Sequence, residues 1–356
     1  MKKALLLCLT LFAATFGFAQ QQLATLNHND SITVYYGASA LQQAHASAVN
    51  GDIITLSPGS FNAVDITKAV TIRGAGMFPD TVAGTQATIL TYDFNITINN
   101  DSIHHLTMEG LYCSGQTIRY STVYNPQFIK CFFRTLQPYT SFMLNATFIN
   151  CIIENFVNSS SNNYGARNTM FVNSVILACC DPGTDHYCLG YGSTSLINCI
   201  AALHYGQANN VSIQNSIVYY GRSASGTNGY SSFNSIGINT YTGTMTGPGY
   251  TGNYYITTGL ANHYLYNYRG YASVFKNFRG TYDEGITFEL QDSIAATCLG
   301  NDGTQVGIYG GTMPFDPRVS GLDIRRCDVA RRTTADGKLA VDIEVVSDEA
   351  TSTTEE

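Results

Sequence analysis

The chain has 356 residues, of which only 12% are charged, and its 18 Lys and Arg against 25 Asp and Glu give a net charge of −7. That balance excludes a charged helical bundle and disfavours nucleic acid or anionic lipid as partners, since both recruit basic surfaces. Its 33 Gly and 24 Tyr, with abundant Asn, Ser and Thr, are the composition of strands joined by turns.

The first 19 residues read as a signal peptide: Lys2 and Lys3, an apolar run over residues 4–18, then small residues Gly17 and Ala19 before Gln20. This is the layout of an export leader, and the run is shorter than the ~20 apolar residues of a bilayer span. No later stretch is apolar enough to cross a membrane. The expected address is therefore periplasmic, outer-surface or extracellular. Cleavage leaves 16 basic residues against 25 acidic ones, a charge of −9, and nine cysteines. An odd number in an oxidising compartment leaves at least one thiol unpaired or paired between chains.

Ala40-Leu41-Gln42-Gln43-Ala44 predicts a short amphipathic helix within residues 38–49. A strand within residues 51–59 follows, ending in Pro58-Gly59, and then a coil over residues 66–76 that ends in Gly74-Ala75-Gly76. From there a pattern recurs: two apolar residues, a polar one, Cys or Ser, then apolar again. It reads Phe128-Ile129-Lys130-Cys131-Phe132, Phe148-Ile149-Asn150-Cys151-Ile152, Phe171-Val172-Asn173-Ser174-Val175, Leu196-Ile197-Asn198-Cys199-Ile200 and Ile213-Gln214-Asn215-Ser216-Ile217. Phe233-Asn234-Ser235-Ile236 is a weaker last copy. The steps between polar residues are 20, 23, 25, 17 and 19, and a period of this size means a solenoid.

A leucine-rich solenoid would need a leucine consensus and helices. Short β-branched and aromatic runs flanking one Asn instead predict two strands meeting at a tight corner, where Asn tolerates the left-handed backbone. Stacked coils would align Asn150, Asn173, Asn198 and Asn215 in a ladder of hydrogen-bonded amides. The Cys or Ser after each Asn would point inward. Neighbouring strands lie about 4.8 Å apart and a disulfide needs Cβ atoms about 3.8 Å apart. Cys131, Cys151 and Cys199 are therefore expected to be buried thiols, and Cys113 belongs to an earlier coil.

Over residues 31–240 the helix, the Pro-Gly strand end, the Gly-rich turn and the Asn-Cys/Ser repeat resemble pectin-lyase-like right-handed parallel β-helix proteins. The resemblance implies an all-β right-handed parallel β-helix over residues 20–320, capped by the N-terminal helix and closed by a Gly- and Tyr-rich C-terminal region. Residues 219–271 hold eleven of the 24 tyrosines. Gly300-Asn301-Asp302-Gly303 through Pro314-Phe315-Asp316-Pro317-Arg318 resembles the C-terminal portion of secreted and surface β-helix proteins of Gram-negative bacteria. Residues 321–346 form a C-terminal segment whose alternating residues 338–346 predict a strand. Residues 347–356 are an acidic tail with the composition of disorder.

The enzymes of that fold which degrade acidic glycans use Arg or Lys as base, commonly with Ca²⁺ on clustered acids, or else paired carboxylates. Between Asp101 and Arg222 the acids are only Asp101, Glu109, Glu154, Asp181 and Asp185, and the bases Arg119, Lys130, Arg134, Arg167 and Arg222. None of the Asp-Asp, Gly-His-Gly or Arg-Ile-Lys stretches of polygalacturonases is present, nor are the motifs of pectin methylesterases. The cluster from Cys179 to Cys188, with Asp181, Asp185 and His186, breaks the repeat. It can be read as a turn, an internal disulfide or a metal site. Arg167, Asp181, Asp185 and His186 are the candidate catalytic residues of an enzymatic reading, in which Ca²⁺ would be the cofactor; otherwise no cofactor or metal is expected. The leading expectation is a non-catalytic exported protein whose tyrosine-bearing surface meets a polysaccharide or cell-surface glycan. The alternatives are a divergent lyase or hydrolase, and a structural spacer or adhesin stalk.

Overall fold

In a computed structural model the chain is described over residues 22–81, 84–98, 103–138, 142–157, 165–178, 193–203, 211–220, 230–239, 264–269, 271–283, 285–319, 322–329 and 341–347. The leader, Asp181, Asp185, His186 and all of the acidic tail but Ser347 lie outside the described residues.

The strands alternate between two long sheets. One opens with the antiparallel hairpin Leu23–His28 and Ser31–Tyr36, whose first strand pairs antiparallel with Ile53–Leu56. From there it runs through Thr71–Arg73, Thr107–Glu109, Gln127–Ile129 and Thr147–Ile149 to Tyr230–Phe233, every further pair parallel. The other runs in step with it from Gly59–Asn62 to Ile236–Asn239 and then Tyr264–Arg269, also parallel throughout. A third, three-stranded sheet joins Val123–Tyr124, Phe142–Leu144 and Gly165–Arg167. The chain is thus mostly β with long parallel sheets, as a parallel solenoid requires. Among the described residues no helix is long and apolar enough to cross a membrane.

The repeat explains the coil. In each copy the first apolar residue points into the stack, and Phe128, Phe148 and Phe171 lie face to face with ring centroids 4.7 Å apart. The next turns outward, and the polar residue makes the corner. Lys130, Asn150, Asn173, Asn198, Asn215 and Asn234 all hold positive φ, between 44° and 53°, the conformation Asn tolerates best after Gly. Gly110 occupies the equivalent corner one coil earlier, with φ 65°.

Past the corner the small residue turns inward. The thiols of Cys131, Cys151 and Cys199 donate to the carbonyls of Met108, Phe128 and Phe171 on the preceding coil. The backbone N–H groups of Cys151 and Cys199 donate to the hydroxyls of Ser174 and Ser216 on the following one. Cys and Ser alternate here because each fills a small space and satisfies a buried backbone group. Cys113 is unbridged and buried as well, but it stands three positions past its corner, opposite Phe133. Burial pushes the Cys151 and Cys199 thiols up to about 12. These four thiols are expected to stay unmodified by iodoacetamide at pH 8 in the native protein and to react in urea. Because the folded state keeps the proton longer than the unfolded one, stability should fall as the pH rises through the ordinary thiol range. Native labelling of Cys151 or Cys199 within minutes would show that the inward face is misassigned.

At the first end of the stack, helix α1 (Ala40–Ser47) buries Ala40, Leu41 and Ala44. Its last turn is held by the Lys68 ammonium, which donates to the carbonyls of His45, Ala46 and Ala48 at 2.6–2.9 Å. A cation there satisfies the orphan carbonyls and opposes the helix dipole. At the other end of the chain, the strand expected over residues 338–346 is Val341–Ser347. It pairs antiparallel with Leu322–Val329, a partner that the sequence reading did not identify.

Two findings correct the asparagine ladder. Asn150, Asn173, Asn198 and Asn215 do stand in one column, each just past the end of a successive strand of the first sheet. However, the Oδ1 atoms of Asn150, Asn173 and Asn198 are buried and accept no hydrogen bond, so no chain of amides runs through them. Their amide nitrogens are needed elsewhere: Asn173 Nδ2 donates to the carbonyls of Ile308 and Gly310 at 2.8 and 2.7 Å. A side-chain ladder forms at another corner instead. Asn145 Nδ2 donates to Asn125 Oδ1 and Asn168 Nδ2 to Asn145 Oδ1, all three residues having φ between 49° and 55°.

Candidate functional site: an aromatic cleft under a C-terminal strap

The residue after each Cys or Ser faces out of the second sheet, and in register these positions form one row: Ile89, Tyr112, Phe132, Ile152, Val175, Ile200, Ile217 and Ile236. Eight apolar side chains facing water would be an aggregation surface. The C-terminal segment covers them. Val274, Phe275, Phe278, Phe288, Leu290, Ile294, Val306 and Ile308 pack on the row as a second core outside the coils.

Residues 300–319 then run back along the asparagine column as a strap. Asn215 Nδ2 donates to Asn301 Oδ1, Asn173 binds the carbonyls of Ile308 and Gly310, and Asn150 reaches Pro314 O at 3.5 Å. The Lys130 ammonium donates to Arg318 O at 2.6 Å. Gly311, with φ 79°, lies so close to Asn198 that a Cβ would collide with its Nδ2. Gly110 is likewise required where Val319 crosses it.

The cover stops short of the first coils, and there a cleft of about 810 Å³ opens. Its floor is the start of the outward row, Ile89, Tyr112 and Ile152, and one wall is the turn Met77-Phe78-Pro79. Tyr282, Phe288, Tyr309, Phe315 and Pro317 from the C-terminal segment form the other. Tyr112 stacks on Phe132 with centroids 4.4 Å apart and planes 5° from parallel. Phe78 stands edge-on to both and stacks on Tyr282, which stacks in turn on Phe288. Ser60, Thr81, Gln86, Ser114 and Thr287 supply uncharged hydrogen-bonding groups.

No described lining residue is charged. Burial raises the Tyr309 phenol above the usual tyrosine range, so it stays a neutral donor at physiological pH. The cleft therefore has planes for stacking and hydroxyls and amides for hydrogen bonding, and its described residues offer no acid–base pair.

Of the expected catalytic groups only Arg167 is among the described residues, and it lies elsewhere. Arg167 stacks its guanidinium 4.1 Å above the Phe142 ring on the third sheet and does not line the cleft. Arg134 lies 3.8 Å from Glu154, whose carboxyl burial pushes up while Arg134 pulls it down. Arg73 pairs with Glu109 at 3.2 Å on the first sheet. Among the described residues no group of three metal-binding side chains converges. Asp181, Asp185 and His186 lie outside the described residues, as do Cys179 and Cys188. Asp302-Gly303 is a turn, with Asp302 Oδ1 accepting from the Thr304 N–H and hydroxyl. Comparison with protein-family models, with curated proteins and with solved structures finds no match to this chain.

Proposed function

We propose that this is an exported, non-catalytic, right-handed parallel β-helix protein of the pectin-lyase-like type, whose aromatic cleft receives a polysaccharide or another cell-surface glycan. Helix α1 serves as the N-terminal cap that shields the open end of the stack, as solenoids need. Residues 271–319 serve as cover and cleft wall. The single observation carrying the reading is the pairing of aromatic planes with uncharged polar groups in one concave site. Such a combination suits ring stacking with hydrogen-bonded orientation. The ion pairs of Arg73 and Arg134 and the stacking of Arg167 add support, since these bases stand on three different sheets.

The test is a glycan-array screen run beside an assay for unsaturated and reducing ends from pectin-type polymers. Retention of glycans without release of ends is the expected result. Steady release of ends, abolished by Arg167→Ala or Asp185→Ala, would establish the divergent lyase or hydrolase instead, with Ca²⁺ as its natural cofactor. A silent array with no release would leave the spacer or adhesin stalk.

A further inference from the structure

We infer that the cleft takes a neutral saccharide ring and rejects uronic acids. The inference rests on the glycan-binding reading above and narrows it by charge. An anionic sugar in a recess needs a cation or several aligned donors to replace its water, and the described lining supplies no cation.

The surroundings point the same way. The acids Asp80 and Asp283 adjoin lining residues Pro79, Thr81 and Tyr282 in the chain. The guanidinium nearest in sequence to the lining, Arg318 beside Pro317, is held in a two-pronged ion pair with Asp316, its Nε 3.0 Å from Oδ1 and its Nη2 2.9 Å from Oδ2. Lys130 is spent on the strap carbonyl of Arg318. With a net charge of −7, the whole chain also disfavours approach of a polyanion.

Aromatic planes alone would equally suit a fatty chain. The polar groups distinguish the two, because an acyl chain uses none of them. The exposed side chains of Ser60, Thr81 and Gln86, with the half-buried Ser114 and Thr287, lie along the same recess as Tyr112 and Tyr282. A pyranose presents C–H groups on one face and hydroxyls around its edge, which matches that division.

The experiment is calorimetric titration of the full mature chain with cellohexaose, xylohexaose, hexagalacturonate and laurate. Binding of a neutral hexamer is expected, with no heat from hexagalacturonate. Tyr282→Ala should weaken that binding about tenfold or more, the scale of losing one stacked plane in a desolvated site. Tyr282 also packs on Phe78, Phe132 and Phe288, so Gln86→Ala, at an exposed side chain, is the second variant; it should weaken binding about threefold with an unchanged melting temperature. Hexagalacturonate binding that both variants reduce would overturn the neutral-sugar inference and leave the glycan reading standing. Binding of laurate alone, or of none of the four, would overturn both. Neutral-sugar binding indifferent to both variants would remove it from this cleft.

Discussion

Replacing Asn173 with Leu is expected to lower the unfolding free energy by about 2–4 kcal/mol. The Asn173 amide donates to two strap carbonyls, those of Ile308 and Gly310, and both bonds are buried; the Ile308 carbonyl also accepts from the Phe315 N–H. Leaving the buried Gly310 carbonyl without its donor and weakening the strap at Ile308 costs about 1–3 kcal/mol, and forcing Leu to φ 45° adds about 1–2 kcal/mol. Loss of the partnerless Asn173 Oδ1 offsets part of this. Asn173→Gly separates the two contributions, because it removes the bonds and relieves the backbone. Urea denaturation measures both; a Leu variant within about 0.5 kcal/mol of the parent would mean that the strap is not held here. Ligand binding should weaken in the same variant, since Tyr309, Phe315 and Pro317 of the strap wall the cleft.

Phe148→Ala should cost more, about 3–5 kcal/mol, the range for deleting a buried aromatic side chain. Phe148 is fully buried, sandwiched between Phe128 and Phe171 at 4.7 Å on either side, with Phe156 edge-on at 6.2 Å. Three rings thus lose a neighbour together, and the parallel strands above and below hold the gap open. Phe148→Leu should recover roughly half of the loss. The urea midpoint should move with little change in slope, and a shift of less than about 1 kcal/mol would contradict the stacked core.

The coil was legible in the sequence because its constraints are local. A corner needs a residue that tolerates the left-handed region, the next position needs a small side chain, and both recur once per turn. What lay beyond one turn was not legible. The strap residues have no period of their own, and Ile308 and Gly310 meet Asn173 across 135 and 137 residues. The asparagine column was therefore read as bonding to itself.

The ladder that does form was within reach. Tyr124-Asn125, Leu144-Asn145 and Arg167-Asn168 recur at steps of 20 and 23, the same as the first two of the main repeat, but in a second phase. The outward row was visible too, as the apolar residue closing each copy. Its eight apolar members demand a cover, which the C-terminal segment supplies. The cleft itself was hidden, because it exists only where the cover ends, and Tyr112, Tyr282 and Tyr309 are brought together from distant segments.

The most direct test of where this protein meets its ligand is a crystal structure of the mature chain soaked with the strongest neutral oligosaccharide from the array. The account predicts sugar density in the cleft, with a ring against Tyr112 or Tyr282 and hydroxyls within hydrogen-bond reach of Gln86, Ser114 or Thr287. Density beside Arg167, or along the outer face of the first sheet with the cleft empty, would contradict it.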